Sequence, residues 1–130
     1  MIENAMLGKP TTIPHGGDEK VDMVYVKDVA NSIVLSCFAR NIEYHVYNIG
    51  AGIGYRLQDV ANAIRKIYPG AVFNIGPGLD YLGFGQAYFI LDISRARNDL
   101  GYSPEYTLEE GVRDYVESME KFHLSLSSGI

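Results

Sequence analysis

The sequence predicts an α/β fold, a small mixed sheet with several packed helices, and three consecutive stretches carry that prediction. His45–Ile49 mixes β-branched and aromatic residues and stops at Gly50, the pattern of a short buried strand. Leu57, Val60, Ala61, Ile64 and Ile67 then recur at helical spacing, and Pro69-Gly70 ends the run. Residues 71–76, AVFNIG, form a second short strand, so strand, helix and strand suit a right-handed parallel crossover.

The other elements follow in chain order. Met1–Leu7 reads as a short helix, with Gly8 ending it and Pro10 beyond. Lys9–Ile13 is an edge strand, and His15-Gly16-Gly17-Asp18 is a turn cluster. Val21–Val26 alternates as a strand, with Val24 and Val26 on one face and Met23 and Tyr25 on the other. Asp28 is placed to N-cap the next helix, where Val29, Ala30, Ile33, Val34, Cys37 and Phe38 make a wide apolar stripe. Arg40-Asn41 closes that helix. Gly76 through Gly85 is glycine-rich and suits a loop at a pocket mouth.

Tyr88–Leu91 reads as a strand. Ser94 caps a brief helix over Arg95–Leu100, which Gly101 ends. Thr107-Leu-Glu-Glu110 is a capping box opening a last helix to about Lys121, with Leu108, Val112, Tyr115 and Met119 on one face. Residues 1–121 make one domain, and 122–130 a flexible C-terminal tail.

The 130 residues suffice for a single core. A net charge of -5 gives no electrostatic footprint for nucleic acid. No apolar run is long enough to span a membrane, and the N-terminus has no signal-peptide profile. The single cysteine, Cys37, excludes an internal disulfide; it sits in an apolar helical pattern and reads as a buried, inert thiol. A reducing cytoplasm fits that cysteine usage.

The chain offers little chemistry of its own. His15, His45 and His123 have no metal-ligand spacing, so no metal site is expected. Neither a G-x-S-x-G elbow nor a G-x-x-x-x-G-K-[ST] phosphate loop occurs. Gly50-Ala-Gly52-Ile-Gly54 imitates a dinucleotide fingerprint, but its sixth position is Tyr55, whose ring blocks close helix–strand packing. The acid such a motif wants about 20 residues on is also missing, because Pro69, Gly70 and Ala71 stand there. The glycines therefore read as a structural turn.

Asp92, Glu109, Glu110 and Asp114 lie at helix starts, where capping and the helix dipole account for them. The ten tyrosines suit a ligand pocket or interface as well as an ordinary core. Met1–Leu7 and the Val29–Phe38 stripe need a covering layer, which in so short a chain points to docking on another domain or chain.

Three stretches in order resemble one family. Asp22-Met-Val-Tyr-Val-Lys-Asp28-Val-Ala30 is similar to the D-[FY]-[IV]-x-V-x-D-[VL]-A segment of extended short-chain dehydrogenases/reductases. Tyr47-Asn-Ile-Gly50-Ala-Gly52 resembles their [YF]-N-[IL]-G-x-G segment. Leu91-Asp92-Ile-Ser94-Arg-Ala96, Leu100-Gly101-Tyr-Ser-Pro104 and Thr107-Leu-Glu-Glu-Gly111 resemble their C-terminal signature. Order and spacing match from residue 1 to about residue 120, and the nearest likeness is to NAD-dependent epimerases/dehydratases of the UDP-glucose 4-epimerase type.

The resemblance implies a C-terminal substrate-binding lobe without its N-terminal Rossmann lobe. In the family that lobe holds NAD(P) and supplies a Tyr-x-x-x-Lys pair. Here the residues four before Lys9, Lys20, Lys27, Lys66 and Lys121 are Ala5, Gly16, Met23, Asn62 and Glu117, none of them tyrosine. The expectation is a chain with no catalytic and no cofactor-binding residues, inactive alone, with NAD(P) belonging to the parent family.

Nucleotide-sugar members of the family hold diphosphate and ribose with an arginine and an Arg-x-x-Asp. The matching positions here are Val21, Leu82 and Gly85, so the arginine fork for a diphosphate is absent. Arg56 stands where many members carry a capping Ser or Thr, which leaves Gly54 or Tyr55 to begin the helix. Met23, Gln86 and Phe89 match the family's pocket wall.

Two roles follow as expectations. One is the substrate lobe, fragment or split half, of a sugar or nucleotide-sugar epimerase/dehydratase, which takes a sugar-type small molecule and pairs with a Rossmann-type lobe. The other is a free-standing, self-associating module derived from that lobe, a homo-oligomer that binds a partner or small ligand.

Overall fold

A computed structural model of the chain describes residues 1–40, 42–79 and 88–122. It is a mixed α/β structure whose elements run α1 (Ile2–Met6), β1 (Thr11–Ile13), β2 (Val21–Asp22), α2 (Val26–Phe38), β3 (Gly54–Tyr55), α3 (Leu57–Ile67), β4 (Phe73–Ile75), α4 (Ser94–Leu100) and α5 (Leu108–Lys121). Among the described residues the strands form two pairs. β1 runs parallel to β4 with Thr11 opposite Phe73, and β2 runs antiparallel to β3 with Val21 opposite Tyr55.

Two small cores sit between the helices. In the first, Ala5, Ala63, Ile64 and Val112 bring α1, α3 and α5 together, with Phe73 of β4 against them. The apolar spacing read over Leu57–Ile67 buries Leu57, Ala61 and Ile64, and Ile64 enters that core. In the second, Ile93, Ala96, Leu100 and Tyr102 gather around α4, and Leu35, Ala39, Tyr47 and Ile49 pack onto them.

Several expected features hold. Gly8 follows α1 at φ +66, and Gly101 closes α4 in the left-handed region at φ +68, where a side chain would be strained. Thr107 opens α5 with its capping box: its hydroxyl accepts from the Glu110 N–H at 3.3 Å, and Glu110 accepts from the Thr107 N–H at 2.9 Å.

Other expectations are corrected. His45–Ile49 is not a strand, so the crossover it was to begin is not made; β4 instead takes β1 as its parallel neighbour. Tyr88–Leu91 likewise forms no strand among the described residues, and the Leu91 N–H donates to the Asp22 carboxylate at 3.0 Å. The strand expected over Val21–Val26 stops at Asp22, since Tyr25 already N-caps α2. Asp28 is no cap: it lies inside α2, 2% exposed, and accepts the Glu105 and Tyr106 N–H groups at 2.8 and 3.2 Å.

Ser94 does not cap α4. Its own N–H donates to the Asp92 carboxylate at 2.9 Å. α3 begins later than expected, with Arg56 rather than Gly54 or Tyr55 at the N-cap. The arginine cannot accept a bond, but Asp59 accepts the Arg56 N–H at 2.8 Å and supplies the returning half of a capping box. The Gly76–Gly85 loop is described only as far as Leu79, and most of the expected tail lies outside the described residues.

On α2 the apolar stripe faces outward, without a covering layer among the described residues, as its width in so short a chain led one to expect: Ile33 is 61% and Phe38 79% exposed, with Val26 and Val34 also exposed. Cys37, on the same stripe, is exposed rather than buried. The face turned to the protein carries Asp28 and Ser32, both buried, beside Leu35 and Ala39. This helix turns Asp28 and Ser32 inward and most of its apolar stripe outward, unlike an ordinary surface helix.

Candidate functional site

An apolar cleft of about 230 Å³ opens where α1, the segment before α2, α3 and the start of α5 meet. Met23, Val60, Leu108 and Val112 give it aliphatic walls, and Tyr25, Tyr106 and Tyr115 line it with rings. Its shape depends on Gly111: a Cβ there would meet the Tyr25 ring at 3.0 Å, so the glycine lets Tyr25 lie against α5. Tyr106 stacks obliquely on Tyr25, with ring centroids 4.8 Å apart.

The polar side of this cleft is a chain of three groups. The Tyr25 hydroxyl donates to Asp114 at 2.5 Å, and Lys27 Nζ donates to the other Asp114 oxygen at 2.7 Å. Hydrogen bonding to Lys27, then to Tyr25, holds the Asp114 carboxyl below its ordinary range. Burial first, then the bond to Asp114, pushes the Tyr25 phenol well above its ordinary range. A tyrosine acting as base needs the opposite shift. Tyr25 therefore stays a neutral donor, and the arrangement suits stacking and apolar contact rather than proton abstraction.

The residues of the family-like segments hold backbone together. The Asp22 carboxylate accepts the N–H groups of Ala51, Gly52 and Leu91 at 2.6, 3.1 and 3.0 Å, so one side chain ties two distant segments to its own. Gly50 is what lets it approach, since a Cβ there would meet Asp22 Oδ2 at 2.6 Å. The buried Tyr102 hydroxyl donates to the Gly50 carbonyl at 2.9 Å. Glycines here serve close approach, in accord with the structural-turn reading.

Of the pocket residues named from sequence, Met23 lines the cleft. Phe89 stands on the surface, 73% exposed, and is not among the cleft's lining residues. Gln86 lies outside the described residues, as do Leu82 and Gly85. Val21 is taken up by its pairing with Tyr55.

The acids separate: Glu109 pairs with Lys66, Glu110 with Thr107, Asp92 with the start of α4, and Asp114 with Lys27 and Tyr25. His15 and His45 are exposed, His123 is outside the described residues, and no cluster of metal-ligating side chains occurs among the described residues. Nor is any described helix long and apolar enough to cross a membrane. Tyr25, Lys27, Tyr106 and Asp114 were not singled out as a site from sequence. The tyrosine excess was the available signal, but Tyr25 and Asp114 meet across 89 residues of sequence.

The model of the NAD dependent epimerase/dehydratase family matches residues 1–50. The ADP-L-glycero-D-manno-heptose-6-epimerase of Fusobacterium nucleatum is 31% identical over 111 residues, covering 78% of this chain and 33% of that protein. A GalE-like L-threonine dehydrogenase from Cupriavidus necator superposes with a TM-score of 0.78 at 28% identity, covering 91% of this chain and 39% of that one. UDP-glucuronic acid 4-epimerase from Bacillus cereus, solved with UDP-glucuronic acid and NAD, gives a TM-score of 0.73 at 27% identity over 91% of this chain and 38% of its own. The chain spans between 17% and 38% of the curated relatives it matches. In sequence and fold it is a relative of the NAD dependent epimerase/dehydratase family that corresponds to part, not the whole, of that family's proteins.

Proposed function

We propose that the chain is the substrate-binding lobe of an NAD(P)-dependent sugar or nucleotide-sugar epimerase/dehydratase, and that it does no hydride chemistry alone. The observation that carries this reading is the reversed α2. Ile33, Val34 and Phe38 face solvent while Asp28 and Ser32 are buried, as expected of a helix whose covering layer belongs to another lobe. The partial match to longer proteins, one of them solved with NAD, supports the same reading. The cleft around Met23, Tyr25 and Tyr106 is the surface on which the apolar face of a sugar-type ligand would stack.

Val21 favours a second reading. It replaces the family's diphosphate-binding arginine with an apolar residue in a strand, which suits a free-standing, self-associating module.

The test is turnover by the purified chain, supplied with NAD and UDP-glucose, UDP-glucuronic acid or dTDP-glucose and followed by nicotinamide absorbance and sugar product. The proposal predicts none, and turnover restored in the assembly that contains a dinucleotide-binding lobe. Turnover by the chain alone would refute it. A stable homo-oligomer indifferent to NAD and all three sugars would favour the second reading.

A further inference from the structure

Resting on the substrate-lobe reading, we propose that the cleft beside Tyr25 and Tyr106 selects among sugars. It takes an uncharged ring by an edge that carries a methyl group, as in a 6-deoxy sugar, and turns away uronic acids.

Size sets the first limit. At about 230 Å³ the cleft is smaller than the roughly 300–1,000 Å³ of sites that enclose a whole drug-sized ligand. One ring fills it, and whatever that ring is attached to lies outside.

The second limit is the lack of groups to replace water. Met23, Val60, Leu108 and Val112 present no strong hydrogen-bonding side chain. Three hydroxyls of the lining are already engaged. Tyr25 donates to Asp114 at 2.5 Å, Tyr115 to Glu3 at 3.4 Å and Thr107 to Glu110 at 2.6 Å. Tyr106 also lines the cleft, and its hydroxyl has no partner among the described residues, which leaves one side-chain hydroxyl for one sugar hydroxyl. A hydroxymethyl group or carboxylate against the aliphatic wall would lose its bonds to water without replacement. A methyl group there gains from burial.

The third limit is charge. Three carboxylates, of Asp114, Glu3 and Glu110, hold the engaged hydroxyls, and Lys27 is already paired with Asp114. A further carboxylate brought to this wall meets like charge.

The test is an NMR titration of the methyl-labelled chain with three probes: methyl 6-deoxy-α-D-glucopyranoside, methyl α-D-glucopyranoside and methyl α-D-glucopyranosiduronate. The proposal expects the Met23, Leu108 and Val112 methyl signals to shift with the first, at a Kd at least about tenfold below that of the second. It expects no shift with the uronide. Tyr106→Phe keeps the ring and should weaken the 6-deoxy glycoside about three- to tenfold. Equal affinities for the two neutral glycosides, tighter binding of the uronide, no shift of these methyls, or a Tyr106→Phe variant without effect would each overturn the proposal. After such a failure, a dinucleotide-binding lobe found in the native assembly leaves the substrate-lobe reading standing, and its absence overturns both.

Discussion

Replacing Asp28 with alanine should destabilise the isolated chain far more than replacing Phe38, although both lie on α2. Asp28 is 2% exposed and accepts two backbone N–H groups, from Glu105 at 2.8 Å and Tyr106 at 3.2 Å. Hydrogen bonds to a charged acceptor contribute about 1.5–2 kcal/mol each, so Asp28→Ala should cost about 3–4 kcal/mol. That is a large share of the roughly 5–15 kcal/mol that holds a typical domain folded.

The assay is urea unfolding followed by far-ultraviolet circular dichroism. With a slope of about 1.5 kcal/mol per molar, the midpoint should fall by about 2–2.7 M. Asp28→Asn retains one carbonyl acceptor and should lose about half as much. Phe38→Ser removes an apolar ring that is 79% exposed, and should stay within about 0.5 kcal/mol of the parent. If Asp28→Ala costs less than about 1 kcal/mol, or Phe38→Ser costs as much as Asp28→Ala, the reversed polarity of α2 is wrong.

Two further outcomes follow. Bonds from the Thr107 hydroxyl and N–H hold the Glu110 carboxyl below its ordinary range. Its folded value therefore lies under its unfolded one: the stabilisation is complete above the ordinary glutamate value of about 4.3 and fades as pH falls through the folded value. Carbon-detected NMR titration should show Glu110 titrating low in the parent chain and returning toward the ordinary range in Thr107→Ala. Cys37 is exposed on the apolar stripe of α2, so an aromatic disulfide reagent should label it in the folded isolated chain, and labelling should slow when the face is covered. Slow labelling of the isolated chain would mean that the stripe is already buried.

Local signals carried most of what the sequence revealed. α3 was legible because its apolar residues recur at one period and Pro69-Gly70 follows; α5 because Thr107 and Glu110 form a box within one turn; the end of α4 because Gly101 takes positive φ. The errors share a long-range cause. Asp28 looks like a cap locally, yet two N–H groups from residues 105 and 106 draw it inward. His45–Ile49 has strand composition, but composition supplies no neighbour. The stripe containing Cys37 has a core-like pattern, and a pattern marks a face as apolar without saying which chain covers it. Of the site, Met23 was found through family resemblance. The Tyr25–Asp114–Lys27 chain was not, because its members join only when the start of α5 closes over the segment before α2.

The most direct test of the substrate-lobe account is the mass of the native polypeptide or its tightest assembly, measured in source cells by native mass spectrometry. The account predicts more than about twice this chain's 14.4 kDa, with the excess supplied by a single dinucleotide-binding lobe of ordinary domain size. A native species of 14.4 kDa, or one built only from copies of this chain, would contradict it.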